Sequence, residues 1–110
     1  RLDTLALNDA KIGDAGLVHL EGLVNLRWLS LNDTRVTDAG LKHLLPLENL
    51  QELRLNNTQV TDAGLDHLEE LTRLRLLSLD DTFVTEAGVK KLEQALPNCT
   101  VRHHRQRQEP

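Results

Sequence analysis

Two rows of asparagine and aspartate side chains are the first residues in the sequence whose types could support chemistry. Clustered carboxylates and amides can hold Ca²⁺, which takes six to eight oxygen ligands. The EF-hand spacing and its glycine are absent, and Asn and Asp are also common in a turn that follows a strand. We therefore favour turn structure over a calcium site and predict no metal or other cofactor. The rows are Asn8, Asn32, Asn56 and Asp80, and Asp9, Asp33, Asn57 and Asp81.

Three histidines recur at the same interval, and a lysine takes the fourth place in the series. They are His19, His43, His67 and Lys91. Neighbouring helices in a stack lie about 8 to 10 Å apart. Two imidazoles at that separation cannot share a zinc ion without distortion. We predict that this row forms a solvated or partly packed helix face.

Candidate nucleophiles have no catalytic context in the sequence. Cys99 has no histidine partner at a recognisable spacing, and Ser30 and Ser78 lie in short extended stretches without a nucleophile-elbow pattern. A glycine-rich phosphate loop and the H-E-x-x-H zinc motif are also absent. We predict that the protein is not an enzyme.

Length and composition narrow the remaining classes. A chain of 110 residues is enough for one domain with a modest core. The net charge of -4 argues against a general nucleic-acid binder, since phosphate neutralisation requires a surplus of Lys and Arg. No apolar run approaches the roughly 18 residues of a membrane span. The single cysteine cannot form an internal disulfide, and no compartment is predicted from the sequence.

The positioning elements follow from an internal repeat. The stretch LSLNDTRVTDAG, which begins at Leu29, comes back in similar form from Leu53 and Leu77, with a looser copy from Leu5. A period of 24 residues indicates a solenoid. Within each copy, alternating leucines predict a short strand, and the later spacing of three or four residues predicts a short helix. Stacked copies would form a parallel sheet with helices on the opposite side, around one shared core.

The turn and the helix start of each copy carry three further structural predictions. We expect an N-cap at Gly13, Thr37, Thr61 and Thr85, so that the acidic residue that follows, such as Asp38, is structural. A glycine within the first helical turn, at 16, 40, 64 and 88, predicts close packing against a neighbouring repeat. The hydroxyls of Thr34, Thr58 and Thr82 are expected to satisfy backbone groups of the turn, with Ala10 as the exception.

These residues carry a family resemblance. Leu26, Leu29, Leu31, Thr34 and Val36 resemble the leucine-rich-repeat signature. The later TDAGLKHL segment is similar to the short-helix variant of ribonuclease-inhibitor-like, F-box-associated and bacterial leucine-rich-repeat proteins. The resemblance covers about residues 2 to 101. It implies a right-handed α/β leucine-rich-repeat solenoid, with a parallel sheet on the concave face, short helices on the convex face, and protein binding.

The ends of the array are predicted from the same pattern. Residues 1–101 would form the leucine-rich-repeat domain of about four repeats, with a closing strand or cap near 99–101, and residues 102–110 a polar disordered tail. The first repeat would expose an apolar end face, formed by Leu5, Leu7, Leu17 and Leu20. We hypothesise that the chain is the C-terminal portion of a longer array or that two copies associate through this face.

Function is expected where the repeat varies. The outward strand positions form two rows, Thr4, Trp28, Glu52 and Leu76, and Ala6, Ser30, Arg54 and Ser78, and the turn forms a third, Lys11, Arg35, Gln59 and Phe83. Because an outward Trp suits an interface, Trp28 is the first candidate anchor, beside Glu52 and Arg54. The alternative is that Glu52 and Arg54 only pair with neighbours and that Trp28 covers leucine edges. The predicted partner-binding residues are Trp28, Ser30, Arg35, Glu52, Arg54, Leu76, Ser78 and Phe83.

The sequence therefore predicts a non-catalytic protein-interaction module that binds through its concave sheet, with no nucleic acid or membrane partner. One alternative is a structural or adaptor segment of a longer repeat protein. Another, a substrate-recognition part of a ubiquitin-ligase-like assembly, rests on family analogy alone.

Overall fold

A computed structural model describes residues 2–9 and 11–104 of the chain, which form four strand and helix units followed by a fifth strand. Short 3₁₀ helices at Val18–Leu20 and Lys42–Leu44 extend the first two α-helices. The elements in chain order are β1 (Thr4–Ala6), α1 (Asp14–Leu17), β2 (Trp28–Ser30), α2 (Asp38–Leu41), β3 (Glu52–Arg54), α3 (Asp62–Leu68), β4 (Leu76–Ser78), α4 (Glu86–Ala95) and β5 (Thr100–Arg102).

The five strands form one parallel sheet in the order β1-β2-β3-β4-β5. Leu29 pairs with Leu53, and Leu53 pairs with Leu77, so each strand meets the residue one repeat away. The same offset continues from Leu77 to Val101. The predicted parallel stack is confirmed, and the repeat length fixes its register.

The core consists of the leucines that point inward from the strands and from the helix side. Leu29, Leu53 and Leu77 are fully buried in successive strands, and Leu31, Leu55 and Leu79 are buried at the strand ends. Helix residues such as Leu41 and Leu68 belong to the same buried cluster. One continuous apolar core therefore joins the repeats, as a solenoid requires.

Helices begin where the sequence predicts, after Gly13, Thr37, Thr61 and Thr85. The hydroxyl of Thr61 accepts a hydrogen bond from Ala63 N, and that of Thr85 accepts one from Gly88 N. Thr37 differs, because its side chain makes no such bond within its own helix. Its hydroxyl donates instead to the Asp14 carboxylate of the preceding repeat.

That contact is one member of an aspartate and threonine pairing between successive repeats. Asp38 accepts from Thr61 N at 2.7 Å through Oδ1 and from the Thr61 hydroxyl at 2.5 Å through Oδ2. Asp62 accepts from Thr85 in the same way, at 2.8 and 2.6 Å. Each aspartate therefore lies in the first turn of its own helix and binds the N-cap residue of the next. This is the structural role expected for Asp38.

The helix glycines provide the space for these aspartates. A Cβ on Gly64 would collide with the Asp38 carboxylate and lie 2.9 Å from Leu41 Cδ1. Gly40 and Gly88 meet the equivalent aspartate of the preceding repeat. Close packing against a neighbouring repeat is thus confirmed at these three positions. Gly16 differs, since its Cβ would meet Ile12 of its own repeat.

Buried threonines close the turn after each described strand from β2 to β4. Thr34, Thr58 and Thr82 donate to the carbonyls of Leu31, Leu55 and Leu79 at 2.7 to 2.8 Å. The predicted satisfaction of turn backbone groups is confirmed, and each bond stays within one repeat. The position of Ala10 lies outside the described residues.

The C-terminal end continues the sheet further than predicted. Arg102 belongs to β5, and the amide of Asp81 donates to the carbonyl of His104 at 2.7 Å. The 24-residue spacing is interrupted near the end of α4: Cys99 follows Leu74 by 25 positions, whereas Thr100 pairs with Leu76 at the usual 24. The predicted boundary at 101 is therefore too early, and residues 105–110 of the predicted tail lie outside the described residues.

The N-terminal end is less exposed than the sequence suggested. Leu17 and Leu20 are buried, because they face the second repeat: Leu17 Cδ1 lies 3.0 Å from the Cβ position of Gly40. Leu5 and Leu7 are half-buried. The large hydrophobic residues exposed near this end are Leu2, Val18 and Val24, each 44 to 47% accessible.

Candidate functional site

Strand pairing places the outward residues of the five strands in two continuous rows, which we call the sheet face. Trp28 aligns with Glu52, and Ser30 aligns with Arg54. Adjacent strands lie about 4.8 Å apart, so side chains in a row are direct neighbours. The first row is Thr4, Trp28, Glu52, Leu76 and Thr100, and the second is Ala6, Ser30, Arg54, Ser78 and Arg102.

Trp28, Glu52 and Arg54 form one hydrogen-bonded group at the centre of the sheet face. Trp28 Nε1 donates to Glu52 Oε2 at 2.7 Å. Arg54 donates to the same oxygen from Nε at 2.9 Å and from the guanidinium NH₂ at 2.6 Å. The Arg54 guanidinium carbon also lies 5.9 Å from the centroid of the Trp28 ring, within cation-π range. The three half-buried side chains are therefore held in one arrangement before any ligand arrives.

Electrostatics favour the ionised form of Glu52 in this group. Burial acts to raise the pKa of Glu52, but hydrogen bonds from Arg54 and Trp28 and the charge of Arg54 outweigh it. The pKa of Glu52 therefore lies below its usual value of 4.5. The sequence-based alternative, in which Glu52 and Arg54 pair with neighbours, describes part of this network, since Trp28 joins the pair.

Ser30 and Ser78 differ from the prediction that they face a partner. Both are 1% exposed. The Ser30 hydroxyl donates to Asn8 Oδ1 at 2.5 Å, and the Ser78 hydroxyl donates to Asn56 Oδ1 at 2.7 Å. Outward alternation on a strand does not ensure exposure when a short side chain lies among larger neighbours. We therefore exclude these two serines from the candidate surface.

The other predicted partner-binding residues are accessible. Leu76 is half-buried in the first row, next to Glu52. Arg35 and Phe83 are exposed at the turns, and Phe83 is 59% accessible. Their backbone amides bind the preceding repeat, at Ile12 O and Val60 O. These two side chains border the sheet face at the turn side and do not join the Trp28 group.

The Asn and Asp rows form turns and an inter-repeat ladder. Asn32 Oδ1 accepts from Asn56 N, and Asn56 Oδ1 accepts from Asp80 N, both at 2.8 Å. The second row takes left-handed backbone conformations, with φ near 60° at Asp9, Asp33, Asn57 and Asp81, as turn asparagines and aspartates tolerate. The ladder ends at Asp80, whose buried Oδ1 has no hydrogen-bond partner among the described residues. Within residues 2–9 and 11–104, no group of three or more His, Cys, Asp or Glu side chains could hold a metal ion.

The histidine row lies on the helix side and consists of unlike environments. His43 Nδ1 lies 2.6 Å from Glu21 Oε2. His19 is exposed and His67 is half-buried. Lys91 pairs with Asp66 at 3.1 Å between exposed side chains. The row is the solvated or partly packed helix face that the sequence predicted.

Cys99 is a buried free thiol that takes a core position. Burial, with a smaller contribution from the charge of Glu93, raises the pKa of its thiol to about 11. A thiol with a raised pKa contains little thiolate at neutral pH and is a poor nucleophile.

Sequence reasoning missed two residues of the sheet face, Thr100 and Arg102. The segment 99–101 was expected to close the stack, and the position of Arg102 next to a predicted tail hid its strand assignment. The signal that could have found it was Val101, which lies 24 positions after Leu77. The fifth strand thus adds a second arginine to the row of Arg54.

Comparisons with known proteins agree with this architecture. A family model described as Leucine Rich repeats (2 copies) matches residues 24–67. An internalin C2 structure from Listeria monocytogenes is 30% identical, with a TM-score of 0.76, and covers 96% of this chain and 45% of that one. A leucine-rich-repeat protein of Leptospira interrogans is 29% identical, with a TM-score of 0.63, over 76% of this chain and 21% of that one. The chain contains leucine-rich repeats and has the leucine-rich-repeat fold.

Further comparisons set the limits of this likeness. A second Listeria monocytogenes internalin, inlF, shares the fold at 22% identity, with a TM-score of 0.60, over the whole of this chain and 36% of that one. The chain therefore spans less than half the length of each of these three structures. The search of curated proteins gave no significant match. Among the described helices, none combines the length and the apolar character needed to cross a membrane.

Proposed function

We propose that the protein is a non-catalytic interaction module that binds another protein through the sheet face. Leucine-rich-repeat proteins are in general protein-interaction modules, which supports the class of function. The binding face and the partner are our proposal. The observation that supports the face most strongly is the preordered group of Trp28, Glu52 and Arg54 at its centre.

Preorganisation is the physical reason to choose this group. Fixing a flexible side chain on binding costs about 0.5 to 1.5 kcal/mol of conformational entropy for each interface residue. Two of these side chains are already held by bonds to one carboxylate oxygen of Glu52, so less of that cost falls on association. Trp and Arg are also the residue types that most often dominate binding energy at interfaces.

The experiment compares the wild-type chain with variants of the sheet face and of the helix side. Trp28→Ala and Arg54→Ala should abolish or strongly weaken capture of a specific protein, which is then purified and titrated. Lys42→Ala and Lys90→Ala alter exposed helix-side lysines and serve as matched controls. Circular dichroism establishes that all four variants fold. Equal capture by sheet-face and helix-side variants would refute the proposal.

The second candidate function is a structural or adaptor segment of a longer repeat protein. This chain spans only 21 to 45% of the length of the similar solved structures, and that observation favours this second candidate. In that case the sheet-face variants would bind every partner as the wild type does, while the parent protein would lose stability when this segment is deleted.

A further inference from the structure

The sheet face and the residues that directly precede its strands carry a local surplus of positive charge. From β2 to β5 the cations are Arg27, Arg54, Arg75 and Arg102, and the carboxylate is Glu52. Because Arg54 donates two hydrogen bonds to Glu52, these two charges compensate each other. Three arginines remain, in a chain whose net charge is -4.

These three arginines have no ionic partner in the described part of the chain. Arg27, Arg75 and Arg102 are all exposed. The ion pairs formed between described residues involve other side chains, among them Lys91 with Asp66 on the helix side. Exposed arginines without an ionic partner, on or directly before the strands of one sheet in an acidic protein, favour a ligand of opposite charge, since complementary potentials guide association.

Carboxylates lie at two borders of this basic region. Asp3 directly precedes β1, so the surplus does not extend to the first strand. Asp9 and Asp33 lie in the turns beyond the carboxyl ends of β1 and β2, each two residues from a turn cation, Lys11 or Arg35. The repulsion of a negatively charged ligand is therefore clearest at the β1 edge, and the ligand is favoured over β2 to β5.

The spacing of the arginines indicates the shape of the ligand. Arg27 and Arg75 directly precede β2 and β4, which are two places apart, whereas Arg102 lies on β5, three residues further along the strand direction. Two strand spacings amount to about 10 Å. A polyproline II segment presents every third residue on one side, and three residues of it span about 9.3 Å. An extended β-strand, by contrast, repeats its side chains at about 6.6 Å.

We propose that the sheet face binds an acidic, extended segment of a partner protein that runs across the strands from β2 to β5. Two acidic side chains three positions apart contact Arg27 and Arg75, and the residues between these two lie against Trp28 and Leu76. A further acidic side chain of the segment contacts Arg102 at the carboxyl end of β5. The inference rests on the proposed function, and it adds the chemistry of the partner.

The protein contains a probe at this surface, because Trp28 is its single tryptophan. Fluorescence of Trp28 can follow titration with a synthetic peptide of repeated Glu-Pro-Pro, and with its Lys-Pro-Pro counterpart. We expect saturable binding of the glutamate peptide, weakened by added salt, and no binding of the lysine peptide. The double variant R75E/R102E should bind the glutamate peptide with an affinity lower by about tenfold or more. The helix-side double variant K42E/K90E makes the same charge change and should bind as the wild type does.

Three results would overturn the inference: equal affinity for both peptides, equal affinity of R75E/R102E and K42E/K90E, or equally tight binding of a single-stranded DNA of matched charge. None of these results bears on the proposed function, which is tested separately by whether Trp28→Ala fails to capture a protein that the wild-type chain captures. If that protein is lost in Trp28→Ala but its binding is unchanged in R75E/R102E, the sheet face binds a partner of different chemistry.

Discussion

Asp38 in the first turn of α2 binds both the backbone amide and the hydroxyl of Thr61, the N-cap residue of α3. The pairing joins two repeats through one carboxylate. Its removal leaves the half-buried Thr61 amide and hydroxyl without their partner. We expect Asp38→Ala to lower the free energy of unfolding by about 1 to 3 kcal/mol.

Urea unfolding followed by circular dichroism measures this effect. Asp66→Ala is the matched control, since Asp66 bears the same charge but forms an exposed ion pair with Lys91. Such a solvent-exposed pair contributes little to stability, because water and salt screen it. Similar losses in the two variants would mean that the Asp38 pairing adds no stability of its own.

Gly64 provides a second test of the same contact. In an ordinary helix, Gly to Ala stabilises by up to about 1 kcal/mol. At position 64 the new Cβ would collide with the Asp38 carboxylate, which is fixed by its two bonds to Thr61, and would lie 2.9 Å from Leu41 Cδ1. We expect Gly64→Ala to destabilise by about 1 to 3 kcal/mol, as overpacking does.

Gly22→Ala is the control for this substitution, because a Cβ at Gly22 would meet no atom within 4 Å. Its unfolding free energy should stay within about 0.5 kcal/mol of the wild type. A Gly64→Ala protein as stable as the wild type would show that the repeats separate readily at this contact.

The Trp28 and Glu52 bond predicts a pH dependence. The pKa of Glu52 is lower in the folded chain than the usual 4.5, so the ionised group stabilises the folded state above that value. This stabilisation is lost as the pH falls through the folded-state pKa. We expect the emission of Trp28 to change below pH 4.5 while circular dichroism remains native. In Glu52→Gln this change should disappear, whereas Glu48→Gln, at an exposed position, should retain it.

The reactivity of Cys99 tests the closing strand. With a thiol pKa of about 11, the folded chain contains on the order of 100-fold less thiolate at pH 8 than an unperturbed cysteine. We expect slow alkylation by iodoacetamide in buffer and rapid alkylation in urea. Equal rates would place Cys99 in solvent and would contradict its burial in the core directly before β5.

Much of the fold could be predicted because each repeat has the same residue types at the same positions. Leu29, Leu53 and Leu77 recur at a fixed interval, and that interval sets both the strand register and the continuous core. The glycine and threonine positions at the helix starts were predictable for the same reason. Period and residue type alone determine these features, since they depend on local conformation and on burial of apolar surface.

Only the tertiary structure decided which outward residues reach solvent and which contacts they make. Ser30 and Trp28 have the same strand orientation, yet Ser30 is buried against Asn8 while Trp28 bonds to Glu52 on the next strand. Arg102 joins the row of Arg54 because an extra residue near α4 is compensated before β5. These outcomes depend on the size and reach of side chains from neighbouring repeats. A repeat pattern determines where each Cβ points, but the atoms that surround a side chain belong to residues 22 to 25 positions away and are placed only when the repeats stack.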